Sequence, residues 1–275
     1  MRTRNATWSR YGSSDELTHK NAHTSSWLLF TVMLAPRNDQ LTTLQQRVLA
    51  LLEVLLCSSL PTQFLIASIL AGLGISPRIG DQLSLTFVFI LSVTDTAVLI
   101  GLMVALTRAH GDSPWLLWRG RAPLRGEIVL GLMLVPVAVF MVAFLMGIIR
   151  TLAPGLHNVP ENPLESLATG GAGAAALFGI VAIVAGGIRE ELQRAFLLQR
   201  FERHLGGATV GVVVLSTAFG LGHALQGWDA AIATGALGAF WAILYLQRRS
   251  SIAPMVSHAG FNSIEVIRVA IGGGA

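Results

Sequence analysis

The stretch Ala185-Gly186-Gly187-Ile188-Arg189-Glu190-Glu191-Leu192-Gln193-Arg194-Ala195-Phe196 sets two adjacent glutamates between two arginines, directly after an uncharged run from Gly171 to Gly187. That run reads as part of a membrane-spanning helix. A charged side chain within a bilayer costs at least ~2.5–3.5 kcal/mol even on the gentler insertion scales, so it marks a functional site by default. Two neighbouring carboxylates at such a place raise one question: which other polar groups share their depth.

Composition supports the membrane reading. Of 275 residues, 53% are hydrophobic and 12% charged, and the mean hydropathy is +0.63. Soluble domains carry about 25% charged residues. The net charge of +4 does not indicate nucleic acid, because most arginines stand in short loops between apolar runs, as topology demands. The single cysteine, Cys57, lies in an apolar run, so no intrachain disulfide can form.

The pattern predicts an all-α, polytopic membrane protein of about seven transmembrane helices, with a polar site inside the C-terminal helix bundle. Residues 1–45 read as a polar, disordered or interfacial N-terminal segment and 46–270 as the transmembrane domain. The nine-residue apolar run Trp27 to Ala35 is too short to cross a bilayer. Spans are expected at 46–74, 83–107, 127–149, 172–199, 208–225, 230–247 and 252–270, with kinks at Pro61 and Pro136. The Gly- and Ala-rich start of the fourth span, and 231–239, predict close helix packing. With a cytoplasmic N-terminus, the inside loops hold eight arginines (Arg108, Arg119, Arg121, Arg125, Arg200, Arg203, Arg248 and Arg249) against Arg78 and Arg150 outside. The positive-inside rule favours that orientation.

Three polar constellations can work with the glutamates: Phe219-Gly-Leu-Gly-His223, His258-Ala-Gly-Phe-Asn262, and Asp95 alone in the second span. Glu190 and His223 each stand about 16 residues from the turn at Gly206-Gly207, so an antiparallel hairpin brings them to similar depth. His258 and Asn262, four apart, share a helix face. Straight counting sets His258 shallower than His223, and the site is expected to open toward the cytoplasmic half. These groups suit peptide hydrolysis. Glu190 acts as general base on water. His223 orients that water or binds a metal. His258 and Asn262 donate to the developing oxyanion. Alternatively Glu190, His223 and His258 hold Zn²⁺, although no H-E-x-x-H is present. Arg189 and Arg194 are charge partners of the glutamates, and Asp95 is a structural or water-contacting group. Each polar group, taken singly, is more often helix–helix glue.

Together, Glu190-Glu191, Phe219…His223 and His258…Asn262 resemble the CAAX protease and bacteriocin-processing (CPBP, or Abi) family of intramembrane endopeptidases, over about residues 172–265. The neighbouring text, His223-Ala-Leu-Gln-Gly-Trp228 and Ser-Ile-Ala-Pro254, is similar too. One position departs: the family arginine would fall at Ala195, and this chain has Arg194. The resemblance implies Glu190 as base or ligand, His223 as its partner, His258 with Asn262 near the oxyanion, and Glu191 with Arg194 in support. It leaves zinc- and glutamate-type chemistry open. It also implies a multi-pass protein of a prokaryotic plasma membrane, cutting a membrane-associated protein or peptide near the cytoplasmic face. Two rivals stand beside it: a non-proteolytic scaffold or immunity protein on the same fold, which the shifted arginine would favour, and a proton-coupled transporter.

Overall fold

The structure, a computed structural model, describes residues 41–272. Most of the expected N-terminal segment, including Trp27 to Ala35, lies outside the described residues. The described chain is built from helices. They run as α1 (Thr43–Leu56), α2 (Leu60–Gly72), a two-residue antiparallel hairpin (Arg78–Ile79 with Gln82–Leu83), α3 (Leu85–Ala109), α4 (Pro114–Arg119), α5 (Leu124–Leu152), α6 (Ser166–Thr169), α7 (Ala172–Val181), a π-helical segment (Ala182–Arg189), α8 (Glu190–His204), α9 (Ala208–Gly222), α10 (Trp228–Arg248) and α11 (Ile252–Gly272).

Helices therefore stand at all seven expected places, but five of them are long and apolar enough to cross a membrane. These are Thr43–Gly72, Leu85–Ala109, Leu124–Leu152, Ala172–His204 and Trp228–Arg248. The α9 helix has 15 residues, short of the ~20 that a bilayer core needs. The α11 helix has 21, but it is not among the five. It carries His258, Asn262, Glu265 and Arg268, which dilute its apolar content.

The first predicted span is two helices, not one. The break falls at Cys57–Ser59, just ahead of Pro61, with Ser59 in the left-handed region at φ 72°. Proline is tolerated in the first turn that follows, where its missing N–H is no loss. Pro136, by contrast, lies within the unbroken 29-residue α5. The expected fourth span also changes character, from α to π and back to α, in the residues before Glu190.

Small residues set the closest approaches. A Cβ at Gly187 would lie 2.6 Å from Cβ of Ala259, and one at Gly186 would lie 2.5 Å from Nδ2 of Asn262. Only glycines let α11 seat against the π segment at this depth. A Cβ at Gly220 would likewise meet the Ala231 carbonyl at 2.5 Å, so α9 and α10 pack backbone to backbone. The expectation of close packing holds for 231–239 and, in the fourth span, for Ala185-Gly186-Gly187; only the earlier Gly173 faces open space.

The helix ends form two differently charged faces. At one, Arg248 pairs with Glu127 (2.6 Å), Arg249 with Glu202 (2.6 and 2.7 Å), Arg203 with Asp112, and Arg200 with Glu53 (2.5 Å). At the other, Arg150 and His157 both hold Asp229 at 2.8 Å, the Asn162 amide donates to Gln226 (3.3 Å), and Arg268 pairs with Glu165 (3.1 Å). The first is called here the arginine-rich face.

Candidate active site

The two glutamates start α8 and separate at once in environment. Glu191 is 1% exposed, whereas the Glu190 side chain is 20% exposed and faces a cavity of about 750 Å³. Successive helical residues point about 100° apart, so one carboxylate turns into the bundle and its neighbour into the cavity.

Glu191 organises the buried side. Its Oε1 accepts from Arg194 and from Nδ1 of His258, the latter at 2.8 Å. A carboxylate can only accept, so Nδ1 of His258 carries the proton and Nε2 is left to face Oε2 of Glu190, 4.0 Å away. The His258 ring lies flat on Trp241, with centroids 3.7 Å apart at 16°. Trp241 is in turn fixed by donating to Ser257 Oγ at 3.2 Å. The Arg194 guanidinium lies over Phe219 (4.8 Å) and Trp241 (5.8 Å), so the cation also has two aromatic faces. Arg194 thus serves Glu191, three residues before it, and not Glu190, four before it.

Glu190 has a different cation. Arg189 donates from Nη2 to Glu190 Oε1 (3.2 Å), and its Nη1 reaches Ser59 Oγ (2.5 Å), Gln193 Oε1 (3.2 Å) and Asp95 Oδ2 (3.6 Å). Asp95 is 1% exposed and accepts from Thr62 (2.5 Å) and Gln63 (3.2 Å). It is a buried structural group, not a water-contacting one. The break between α1 and α2 is part of this network. It frees the Cys57 carbonyl, which takes the Gln193 amide at 2.6 Å, and it turns the Ser59 hydroxyl toward Arg189.

His223 caps α9 and lines the same cavity. Its Nδ1 lies 2.8 Å from the Phe219 carbonyl, which can only accept, so Nε2 of the neutral ring is the free acceptor. Phe219 meets His223 and His258 edge-on, at 4.8 and 6.1 Å. Asn262 also lines the cavity and donates from Nδ2 to the Ala182 carbonyl of the π segment (2.9 Å), leaving its second amide hydrogen for another acceptor.

All four expected catalytic residues, Glu190, His223, His258 and Asn262, thus line one cavity, and Glu191 and Arg194 stand behind it. Among the described residues no three His, Cys, Asp or Glu side chains are grouped to hold an ion. Nδ1 of His223 and of His258 is hydrogen-bonded to a carbonyl and a carboxylate, an arrangement that leaves Nε2 of each ring free for a proton or a ligand.

Residues 172–264 match the family model described as Type II CAAX prenyl endopeptidase Rce1-like. This segment is Rce1-like. The resemblance read from Glu190-Glu191, His223 and His258…Asn262 is to the same family of CAAX proteases. Neither the curated proteins nor the solved structures gave a match to the chain. The Rce1-like segment, with the five apolar helices, supports an integral membrane protein and an intramembrane protease in general.

Sequence reasoning did not find Trp241, or the tie from Asp95 through Arg189 to Glu190. Trp241 had one usable signal: with Leu237 and Tyr245 it recurs every four residues, marking the face of α10 that turns inward.

Proposed function

We propose that the chain is an intramembrane endopeptidase that hydrolyses a peptide bond of a membrane-associated protein or peptide. The observation that carries this reading is the facing pair at the cavity floor: Oε2 of Glu190 and Nε2 of His258, 4.0 Å apart, each fixed from behind. Arg189 holds the first and Glu191 the second.

The steps use these residues alone. A water between Glu190 and the substrate carbonyl gives a proton to Glu190 as its oxygen bonds to the carbonyl carbon. Nε2 of His223 accepts a hydrogen bond from the water's second O–H, which stays on the oxygen, and so sets its direction. The oxyanion that forms takes a hydrogen bond from the free Asn262 N–H, with the His258 ring beside it across from Glu190. The C–N bond then breaks, and Glu190 returns its proton to the leaving amine.

Depth supports a cut in the half nearer the arginine-rich face. His258 stands six residues along α11 from Ile252, about 9 Å of rise. By the positive-inside rule that face is cytoplasmic.

The test compares protein termini in native membranes of cells holding the wild-type chain or Glu190→Ala at equal expression. New termini that need Glu190 are expected, and His223→Ala should remove the same ones. Identical termini in all three would move the reading to a scaffold or immunity role.

A further inference from the structure

A second recess lies outside the candidate active site, at the arginine-rich face. It measures about 460 Å³ and sits between the last turn of α3 and α4, with Val104, Arg108, Asp112, Trp115 and Trp118 in its wall. The helices before and after it, Leu85–Ala109 and Leu124–Leu152, are both long and apolar enough to cross a membrane, so the recess lies where two spans end. That holds whichever side of the membrane this face meets. Indole rings collect at the headgroup level of a bilayer. The two here differ: Trp115 is 70% exposed, whereas Trp118 is fixed by donating from its indole N–H to the Leu192 carbonyl at 3.0 Å.

We propose that this recess binds the phosphate of an anionic phospholipid, with Arg108 as the counter-charge and the Trp115 ring against the glycerol and upper acyl chain. Charge is the first support. Arg108 is exposed and, among the described residues, pairs with no carboxylate. Asp112, the acid in the wall, is already neutralised: Arg203 holds both of its oxygens, and the Gln199 amide donates to it at 3.4 Å. Arg108 and Arg203 against Asp112 leave a surplus of one positive charge. A guanidinium presents several N–H donors in a fork that fits phosphate oxygens. Arg119, nearby, is spent differently, donating to the Gly120 and Ala122 carbonyls at 3.4 and 2.6 Å. The second support is the mixed wall. Val104, Pro114 and the two indoles are apolar, and Arg108 is charged. An amphiphile satisfies both kinds of surface, whereas a soluble phosphate satisfies only the cation. The end of α4 is not needed for binding, because the Ser113 hydroxyl already caps it by accepting from the Leu116 N–H at 3.3 Å.

A lipid held here bears on the candidate site through α4. The Trp118 carbonyl accepts from the Ser251 N–H at 2.7 Å, and the Leu117 carbonyl accepts from the Tyr245 hydroxyl at 3.2 Å. With the bond from Trp118 to Leu192, one residue after Glu191, these tie the six-residue α4 to α8, α10 and the turn into α11. Those are the elements that carry Glu190, Trp241 and His258.

The test uses the full chain in detergent micelles doped with equal amounts of phosphatidylglycerol and phosphatidylcholine, with bound lipid counted by native mass spectrometry. The wild-type chain should retain phosphatidylglycerol over phosphatidylcholine by about five-fold, the preference that one arginine gives at an anionic surface. Arg108→Gln should remove most of that preference. Arg125→Gln, an equal loss of charge outside the recess, should leave it unchanged. Both arginines are exposed, so neither substitution opens the core. Trp115→Ala should lower retention, and Trp115→Phe, which keeps a ring, should restore it. Excess soluble glycerol 3-phosphate should not displace the lipid. Equal loss in the two arginine variants would overturn the site in favour of diffuse attraction to the whole face. Displacement by the soluble phosphate would overturn the lipid as its ligand. Equal retention of both lipids by the wild-type chain would overturn the proposal outright.

Discussion

Breaking the pair of Glu191 and Arg194 is the sharpest test of how the site is held. Both side chains are buried, at 1% and 6% exposure. Removing one partner of a buried ion pair costs about 3–5 kcal/mol, because the other charge is stranded. That is a large part of the 5–15 kcal/mol by which a folded chain typically exceeds its unfolded state. The two halves should not cost the same. In Glu191→Gln the new amide oxygen still accepts from His258, and Arg194 keeps the faces of Phe219 and Trp241. Such faces return up to about 2 kcal/mol to a desolvated cation, so this variant should sit near the lower bound. In Arg194→Met the carboxylate keeps His258 alone, and Oε2 of Glu191 already has no hydrogen-bond partner. Its cost should sit near the upper bound. Glu191→Gln with Arg194→Met leaves no stranded charge, so the double variant should be at least ~2 kcal/mol more stable than the sum of the singles predicts. Denaturing-detergent titrations of the purified full chain, followed by tryptophan fluorescence, give all four stabilities. Additivity within about 0.5 kcal/mol would refute the pairing and return Arg194 to an unassigned role.

Further perturbations separate packing from chemistry. Gly187→Val should destabilise by about 1–3 kcal/mol or more and abolish turnover, since its Cβ would strike Cα and Cβ of Ala259, next to His258; Gly173→Ala, in open space, should stay within about 0.5 kcal/mol of wild type in the same titration. Arg189→Gln frees Glu190 and should lower kcat roughly 100-fold with little change in KM, as misplacement of a reacting group does; an unchanged kcat in assays on an isolated substrate would remove Arg189 from the positioning of the base. The proposed steps use Glu190 and the histidines without an ion, so treatment with a zinc chelator should leave turnover intact; loss of activity that zinc restores would overturn those steps and make Nε2 of His223 and His258 ligands.

The sequence showed the helices because long apolar runs have one solution in lipid. It showed the four cavity residues because spacing along antiparallel helices converts to depth. The kink expected at Pro61 is a full break at Cys57–Ser59, two residues earlier, because proline marks the first turn of the following helix rather than the break itself. The sequence did not show the π segment. That change in winding depends on the fit of Gly186 and Gly187 against α11, which is a matter of tertiary contact. Arg194 departs from the family pattern, which sets the arginine at Ala195, and spacing alone left either glutamate as its partner; in the folded chain the partner is Glu191.

The Rce1-like match ends at residue 172 on its N-terminal side, and the cavity's support does not. Ser59, Thr62, Gln63 and Asp95 all precede the matched segment, yet through Arg189 they bear on Glu190. Inside that segment Arg189 has the Ala185 carbonyl, Gln193 and Glu190; outside it lie its closest hydrogen bond, to Ser59, and its second carboxylate. Without α2 and α3 the guanidinium would have to bind Glu190 more fully, the group proposed to take a proton from water. The role of the first two spans is then electrostatic as well as anchoring. A second anion, buried at 1% exposure, shares the cation so that the candidate base is oriented by it without being consumed by it.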